Sequence, residues 1–161
     1  MLQESVKNDE ENLLEDTSLH KDTSTLDTMI SMKIYALKLE CNRNITAGID
    51  VHYSENITKH FDLTVEDQLN LNSLRYQLLT SNQDTFAYHS KNDDFEYYNR
   101  KEVEYIIASV DKHILYHTVY FNSLKKYVNS LSSIDEINAI KYGQDFPDMY
   151  KSQVLLEISD K

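Results

Sequence analysis

The scarcity of glycine and proline constrains the fold of this chain more than any other feature of its sequence. The 161 residues include two glycines, Gly48 and Gly143, and one proline, Pro147. Glycine-rich phosphate-binding loops, dinucleotide-binding fingerprints and β-sandwiches with many turns all need more of these residues. The composition therefore favours a mainly helical chain whose elements are joined by short polar turns.

The net negative charge of the chain argues against anionic partners such as nucleic acids and acidic membranes. The chain has 27 acidic and 16 basic residues, which gives a formal charge of −11 at pH 7. Nucleic-acid backbones and anionic membrane surfaces attract clustered Lys and Arg, so we expect no nucleic acid and no membrane among the partners. No apolar run approaches the roughly 18 residues that span a bilayer, and the acidic N-terminus is unlike a secretory signal. We therefore expect a soluble protein of a cytoplasm-like compartment.

The chain divides at about residue 22. Residues 1–22 are acidic and poor in apolar side chains, which predicts a flexible arm that becomes ordered only against a partner. The rest of the chain, residues 23–161, is predicted to form a single α+β domain, because this length suffices for one core and is short for two.

An amphipathic helix is predicted over about residues 23–47, at the start of this domain. Apolar side chains recur there at steps of three or four residues, and Gly48 follows as a C-terminal stop. The steps of four, three and four from Ile30 to Cys41 also fit a coiled-coil seam. Docking on its own domain and oligomerisation both stay open for this helix. The stripe consists of Leu26, Ile30, Ile34, Leu37, Cys41 and Ile45.

Hairpins and helices alternate beyond this first helix. Runs of alternating polar and apolar residues predict strands, and apolar residues at helical spacing predict helices. The sequence thus predicts a mainly helical α+β fold with an N-terminal helix, two β-hairpins alternating with helices, and one long helix near the C-terminus. The predicted elements are a hairpin over 49–53 and 57–63, a helix over about 65–79, a hairpin over 86–90 and 95–98, a long helix from Asn99 to about Ser130, a short helix from Ser133 to near Gly143, and a tail that is extended or helical.

Capping residues mark the starts of three helices. Thr64 can accept a hydrogen bond from the backbone N–H of Asp67, whose carboxylate lies in the positively polarised first turn. Two further starts match the reciprocal capping pattern, in which a side chain three residues on bonds back to the cap. These pairs are Asn99 with Glu102 and Ser133 with Glu136. In the second helix the predicted apolar set is Leu69, Leu71, Leu74, Leu78 and Leu79.

His113 and His117 are the most evident candidates for chemistry. They share one face of the predicted long helix, and neutral imidazoles at this spacing can bind a transition metal. Position 114 is Ile, however, where hydrolytic zinc helices carry a general-base Glu. No third ligand is evident from spacing, so we expect packing or hydrogen-bonding roles and no metal or cofactor. His52, His60 and His89 on the predicted hairpins are judged in the same way.

The neighbouring Tyr116 and Tyr120 extend this histidine face. A catalytic cleft, a base-stacking platform and a core layer would all use such residues; the core layer is favoured because buried rings can still direct their polar tips to partners. Cys41, the single cysteine, excludes an internal disulfide and is expected to be a buried, unreactive thiol. Acidic pairs such as Asp93 and Asp94 lack metal-loop or catalytic spacing. We therefore expect a protein that is not an enzyme.

Tyrosine is abundant, with twelve tyrosines and no tryptophan. Tyrosine is enriched at protein interfaces, although tyrosine-rich cores are equally common. An acidic, aromatic domain without catalytic motifs fits a protein that binds other proteins. The residues predicted to contact partners are Ile30, Ile34, Leu37, Tyr88, Tyr97, Tyr98, Tyr142 and Tyr150.

Several local strings, in this order, resemble a family of small tail-associated proteins of bacteriophages and prophages of Gram-positive bacteria, usually encoded near tail-fibre and baseplate genes. Together they span about residues 30–145. Many members of the family carry a cysteine where this chain has Phe121, and another after the hairpin with Tyr88, so any pairing or metal binding by those cysteines is impossible here. The strings are Cys41–Val51, His60–Leu71, Tyr88–His89, Tyr116–Asn122 and Ile140–Gly143.

The resemblance implies a role in a virion or in tail assembly and brings no catalytic residues with it. We expect a structural component of a phage or phage-like tail, at the baseplate or the tail-fibre attachment. The alternative is a tail-fibre assembly chaperone that acts in the host cytoplasm and stays out of the particle, since strong negative charge can keep a client soluble. The expected partners are other tail proteins and further copies of the chain, in a trimer or another homo-oligomer.

Overall fold

The computed structural model of the protein describes residues 25–54 and 57–159. The predicted acidic arm over 1–22 lies outside the described residues. The described part is 63% helical with two antiparallel hairpins, which confirms the predicted α+β class. The elements are α1 (25–46), β1 (Ile49–Ser54), β2 (Ile57–Phe61), α2 (Val65–Thr80), β3 (Thr85–Tyr88), β4 (Glu96–Asn99), α3 (Arg100–Val128), α4 (Ile134–Ala139), a 3-10 turn (Asp148–Tyr150) and α5 (Gln153–Ser159).

The two hairpins form separate two-stranded sheets within the described ranges. In the first, Ile49 pairs with Phe61, and the register shifts between His52 and Ser54. In the second, Phe86 pairs with Tyr98 and Tyr88 with Glu96. A backbone hydrogen bond of 2.8 Å from the N–H of Lys91 to the carbonyl of His60 links the hairpins.

The long helix α3 is shared by two hydrophobic cores. Its N-terminal half packs against both hairpins and α2, and its C-terminal half packs against α1 and the tail. The first core contains Val51, Phe61, Leu63, Leu71, Leu74, Phe86, Tyr88, Tyr98, Val103, Ile106, Ile107 and Val110. The second contains Leu37, Tyr120, Leu124, Val128, Ile140, Phe146 and Leu155.

Two of the predicted caps form reciprocal capping boxes. The Thr64 side chain accepts a hydrogen bond from the backbone N–H of Asp67, and the Asn99 side chain accepts one from the backbone N–H of Glu102. In return, the carboxylates of Asp67 and Glu102 accept from the backbone N–H groups of Thr64 and Asn99. The predicted Ser133 box is wrong: Ser133 is the N-cap of α4, but its side chain makes no capping hydrogen bond. This six-residue helix is instead anchored by packing, since its Ile137 is fully buried.

Two further predictions about helices need correction. The short helix ends at Ala139 rather than near Gly143, because Ile140 is extended and packs into the second core. Leu69 and Leu79 were predicted to belong to the apolar set of α2, but both are exposed. The buried residues of α2 are Leu71 and Leu74. In the described part of the chain, no helix is both long and apolar enough to cross a membrane.

Candidate functional site

His113 and His117 face α1 and the turn after α4. Their ring centroids lie 4.6 Å apart. His113 donates from Nε2 to the carbonyl oxygen of Asn44 at 3.1 Å, and Nδ1 of His117 lies 3.0 Å from the hydroxyl of Tyr142. Both imidazoles therefore have hydrogen-bond partners supplied by the fold.

Cys41 joins the same cluster from α1. Its thiol donates to the carbonyl oxygen of His117 at 3.3 Å, and the residue is buried, as the sequence predicts. Burial raises the pKa of the Cys41 thiol above its usual value, which keeps it protonated at neutral pH. Since the thiolate is the reactive form, this environment disfavours nucleophilic chemistry at Cys41.

The electrostatics of the cluster favour neutral groups. Burial lowers the pKa of His117, and the neighbouring His113 lowers it further. Burial also raises the pKa of Tyr142 and of Tyr120, whose hydroxyl donates to the carbonyl oxygen of Gln144 at 2.6 Å. Among residues 25–54 and 57–159, no group of three or more His, Cys, Asp or Glu side chains is placed to hold a metal ion. The arrangement matches a hydrogen-bonded core layer.

The hairpin histidines do not converge on a common site; each has its own local partners. His60 is the most strongly held, with Nδ1 2.8 Å from a carboxylate oxygen of Asp50 and Nε2 2.9 Å from the carbonyl oxygen of Ala47. Both partners are acceptors, so both bonds form only when the imidazole carries two protons. The hydrogen bond to Asp50 is the main cause of a raised pKa at His60.

The surface, in contrast, carries many exposed large apolar side chains, and three sets of them are close together in sequence. The α1 stripe consists of Met32, Tyr35 and Leu39, and the hairpin patch of Phe95 and Tyr97. The α2 stripe consists of Val65, Leu69, Tyr76 and Leu79, which are 71%, 60%, 68% and 78% exposed. Where exposed apolar side chains form a continuous patch, they mark protein–protein contact sites more often than scattered single residues do.

The residues predicted from sequence to contact partners fall into two classes. Leu37, Tyr88 and Tyr98 are buried in the two cores, so they present no surface to a partner in this fold. Tyr97 is 78% exposed and stays a predicted contact. Ile30, Ile34, Tyr142 and Tyr150 are half-buried against the second core.

Strand alternation and helix docking explain this division. Successive side chains of a strand point to opposite faces, so Tyr98 enters the core while Tyr97 faces solvent. In α1, Leu37 and Cys41 are buried, and Ile30 and Ile34 pack against the second core, so this stripe faces its own domain; a role of the helix in oligomerisation stays a prediction. The exposed stripes of α1 and α2 were not predicted, although their spacing is visible in the sequence.

No protein-family model, curated protein or solved structure matches this chain. The resemblance to tail-associated proteins therefore stays a prediction that rests on the local strings quoted above.

Proposed function

We propose that this protein is a structural interaction component of a bacteriophage or phage-like tail, at the baseplate or the tail-fibre attachment. The exposed apolar surface is the observation that carries the interaction role. The ordered strings between residues 30 and 145 support placing that role in a tail.

The exposed side chains are of the type that interfaces use. Tyr35, Tyr76 and Tyr97 each present a large ring with a polar tip, and tyrosine is enriched in the centres of protein interfaces. They lie on three different elements, α1, α2 and β4. A component of a particle contacts several neighbours at once, and separate surfaces suit that role.

An interaction role also accounts for the histidine–tyrosine cluster. Nε2 of His113, Nδ1 of His117 and the hydroxyl of Tyr142 are each hydrogen-bonded to one another or to backbone carbonyls. These bonds join α1 and the turn after α4 to α3, on the side of α1 that faces away from its exposed stripe.

Tandem mass spectrometry on density-purified particles from an induced producer strain tests the proposal. A tail component is expected in the particles at a constant ratio to the known tail proteins, in a copy number that fits three-fold or six-fold symmetry. Absence from the particles, while the protein is present in the lysate, would contradict a structural role.

The second candidate function is that of a tail-fibre assembly chaperone. The formal charge of −11 favours it, because a strongly acidic protein can keep an aggregation-prone client protein soluble. It predicts a complex with fibre protein when the two are co-expressed, and no protein in finished particles. The same particle preparation therefore separates the two candidates.

A further inference from the structure

His113 and His117, called the histidine pair below, lie where α1 docks on α3. They are one turn apart on α3, and their rings meet edge to face with an interplanar angle of 76°. His113 donates to the carbonyl oxygen of Asn44 on α1, and the carbonyl oxygen of His117 accepts from the thiol of Cys41, also on α1. The contact between the two helices therefore includes two titratable imidazoles.

The hydrogen bonds of the pair suit its neutral form. The partner of His113 is a carbonyl, which only accepts, so Nε2 of His113 carries the proton. Nδ1 of His117 lies 3.0 Å from the hydroxyl of Tyr142, and in a neutral ring this nitrogen can accept from that hydroxyl. One proton on each ring thus satisfies both contacts.

A second proton on His117 reverses its bond with Tyr142. Nδ1 then donates to the Tyr142 oxygen, and the hydroxyl proton of Tyr142 has to find another acceptor. The remaining acceptors are weak. One is the sulfur of Cys41, and the other is the carbonyl oxygen of His117 at 3.5 Å, which already accepts from the Cys41 thiol. Protonation of His117 therefore costs hydrogen bonding at the contact between α1 and α3.

The groups around the pair do not compensate a positive charge. The titratable side chains that face the pair or Tyr142 are the Cys41 thiol from α1 and the phenols of Tyr116 and Tyr120 from α3. Thiols and phenols are uncharged between pH 5 and 7.5. Carboxylates of the same elements are in ion pairs of their own: Glu40 with Arg43, Asp111 with Arg75, and Asp145 with Lys151, at 2.6, 2.6 and 2.8 Å.

Other contacts of α1 keep their strength in weak acid. Lys33 donates to two backbone carbonyls at the end of α4, both at 3.0 Å, and a lysine stays charged throughout this range. Just after α1, the carbonyl of Ala47 is bonded to His60, whose bonds are complete in its doubly protonated form. Gly48, with a φ of +83°, then leads into β1. Weak acid thus acts on the contact with α3 and leaves the Gly48 end attached.

We propose that the histidine pair makes the docking of α1 acid-sensitive. When His117 takes up a second proton, α1 separates from α3 more often, pivots at Gly48 and exposes Cys41 and Leu37, which are buried in the docked form. Protonation of histidines that are held neutral in a packed contact is a general means of switching such a contact between pH 5 and 6. The inference does not rest on the proposed role in a tail, because it concerns the chain alone.

The pKa of His117 agrees in sign with this switch. Burial and the neighbouring His113 lower it, so docking is at full strength above the ordinary value of about 6.5 and weakens as pH falls below that value. One proton taken up on opening raises the opening equilibrium by at most about tenfold per pH unit. Because His117 is half-buried, the expected increase from pH 7.5 to pH 5.0 is about five- to tenfold in total.

Cys41 provides the probe for the test, since it is buried and is the single cysteine of the sequence. Its rate of reaction with dithiodipyridine, a thiol reagent that also works in weak acid, is measured on the full-length chain at pH 5.0 and 7.5. Each rate is divided by that of the urea-unfolded chain at the same pH, which removes the titration of the thiol itself. The wild-type rate, so normalised, is expected to be about five- to tenfold higher at pH 5.0.

Low concentrations of urea distinguish local opening from global unfolding. Separation of α1 exposes much less surface than unfolding of the whole chain, so the labelling rate should respond only weakly to urea at both pH values. A rate that follows the urea dependence of global unfolding would mean that Cys41 reacts only in the unfolded chain.

Three variants assign the effect to the pair. His117→Gln keeps an amide that can bond to Tyr142 but takes up no proton, so its rates at the two pH values should agree within about twofold. Tyr142→Phe removes only the hydroxyl; it should speed labelling at pH 7.5 and reduce the pH dependence, because the bond that protonation reverses is already lost. His89→Gln, at a half-buried histidine beside the second hairpin, is the matched control and should keep the wild-type ratio.

Three results overturn the proposal. These are equal normalised rates at the two pH values in the wild type, wild-type pH dependence in His117→Gln, and labelling that follows global unfolding. If His117→Gln does not fold, Tyr142→Phe decides in its place, and wild-type rates at both pH values in that variant would contradict the role of the contact. Detection of the protein in particles is unaffected by any of these results.

Discussion

Gly48 is the residue on which the passage from α1 to the first hairpin depends. It has a φ of +83°, and a Cβ built there would lie 2.1 Å from the carbonyl oxygen of Phe61 and 2.8 Å from the Cα of Asp62. Both neighbours are backbone, which cannot move aside without disturbing β2. A side chain at this position therefore meets both backbone strain and steric overlap.

Gly48→Ala is expected to destabilise the fold by about 3 kcal/mol or more, the sum of left-handed strain of about 1–2 kcal/mol and the overlap. Gly143 is the matched control: its φ is +88°, but nothing lies within 4 Å of an added Cβ. Gly143→Ala should cost only the strain. Urea unfolding of both variants measures the difference, and equal losses would contradict the role assigned to Gly48.

His60 gives stability a pH dependence at the same junction. Its pKa is raised in the fold, so its charged bonds contribute fully below the unfolded value of about 6.5 and are lost as pH rises through the raised value. His60→Gln should thus cost more at pH 5.5 than at pH 8.5, by roughly 0.5–1 kcal/mol because the pair is partly exposed.

Urea unfolding at pH 5.5, 7.0 and 8.5 checks this difference between the wild type and the His60 variant. His117, whose pKa is lowered, acts in the opposite sense, but it is present in both proteins and cancels. Asp50→Asn should remove most of this pH-dependent part, since the hydrogen bond to Asp50 is the main cause of the raised pKa of His60, while Ala47 and Asp62 still raise it. A cost that is constant across this range, or larger at pH 8.5, would rule out the ion pair as its source.

At the scale of elements, hydrogen bonds between residues close in sequence fix where helices begin. The Asn99 side chain accepts from the N–H of Glu102 at 3.1 Å, and the Glu102 carboxylate accepts from the N–H of Asn99 at 2.7 Å. Asn99→Ala should cost about 1 kcal/mol, a usual value for the loss of a cap. Ser133→Ala, at a cap whose side chain makes no such bond, should cost much less. Equal costs in thermal or urea unfolding would show that the Asn99 box contributes nothing specific.

The same signals explain how much of the fold was predictable. Turn composition placed both hairpins, and capping boxes placed the starts of α2 and α3, because these depend on residues close in sequence. The docked faces of helices depend on packing instead. Helices α1 and α2 each carry two apolar stripes, and nothing local shows which stripe meets the core.

The candidate site was less predictable than the fold for the same reason. Tyr97 and Tyr98 are identical side chains on adjacent positions, and only the register of β4 against β3 decides which is buried. The sequence did predict hydrogen-bonding or packing roles for His113 and His117. Their partners, Asn44 and Tyr142, are 69 and 25 residues away and could not be read from spacing.

At the scale of the whole molecule, α3 joins two cores and holds the surrounding elements in place. The first core supports the hairpins and the inner face of α2, and the second supports α1 and the tail. Exposed apolar side chains recur at helical spacing on α1 and α2, and Phe95 and Tyr97 add a pair at the second hairpin. We interpret the molecule as a helical support, built on two cores, that offers several separate contact surfaces to its neighbours.

Hydroxyl-radical footprinting of the protein in purified particles, compared with the free protein at 1 µM, tests this account most directly. Aromatic and leucine side chains at the contact surfaces should be protected in the particles, above all Leu69, Tyr76, Phe95 and Tyr97. Exposed Tyr105 on α3, outside the three surfaces, should react equally in both samples. Absence of the protein from the particles, or equal reactivity of the surface residues in both states, would contradict the account.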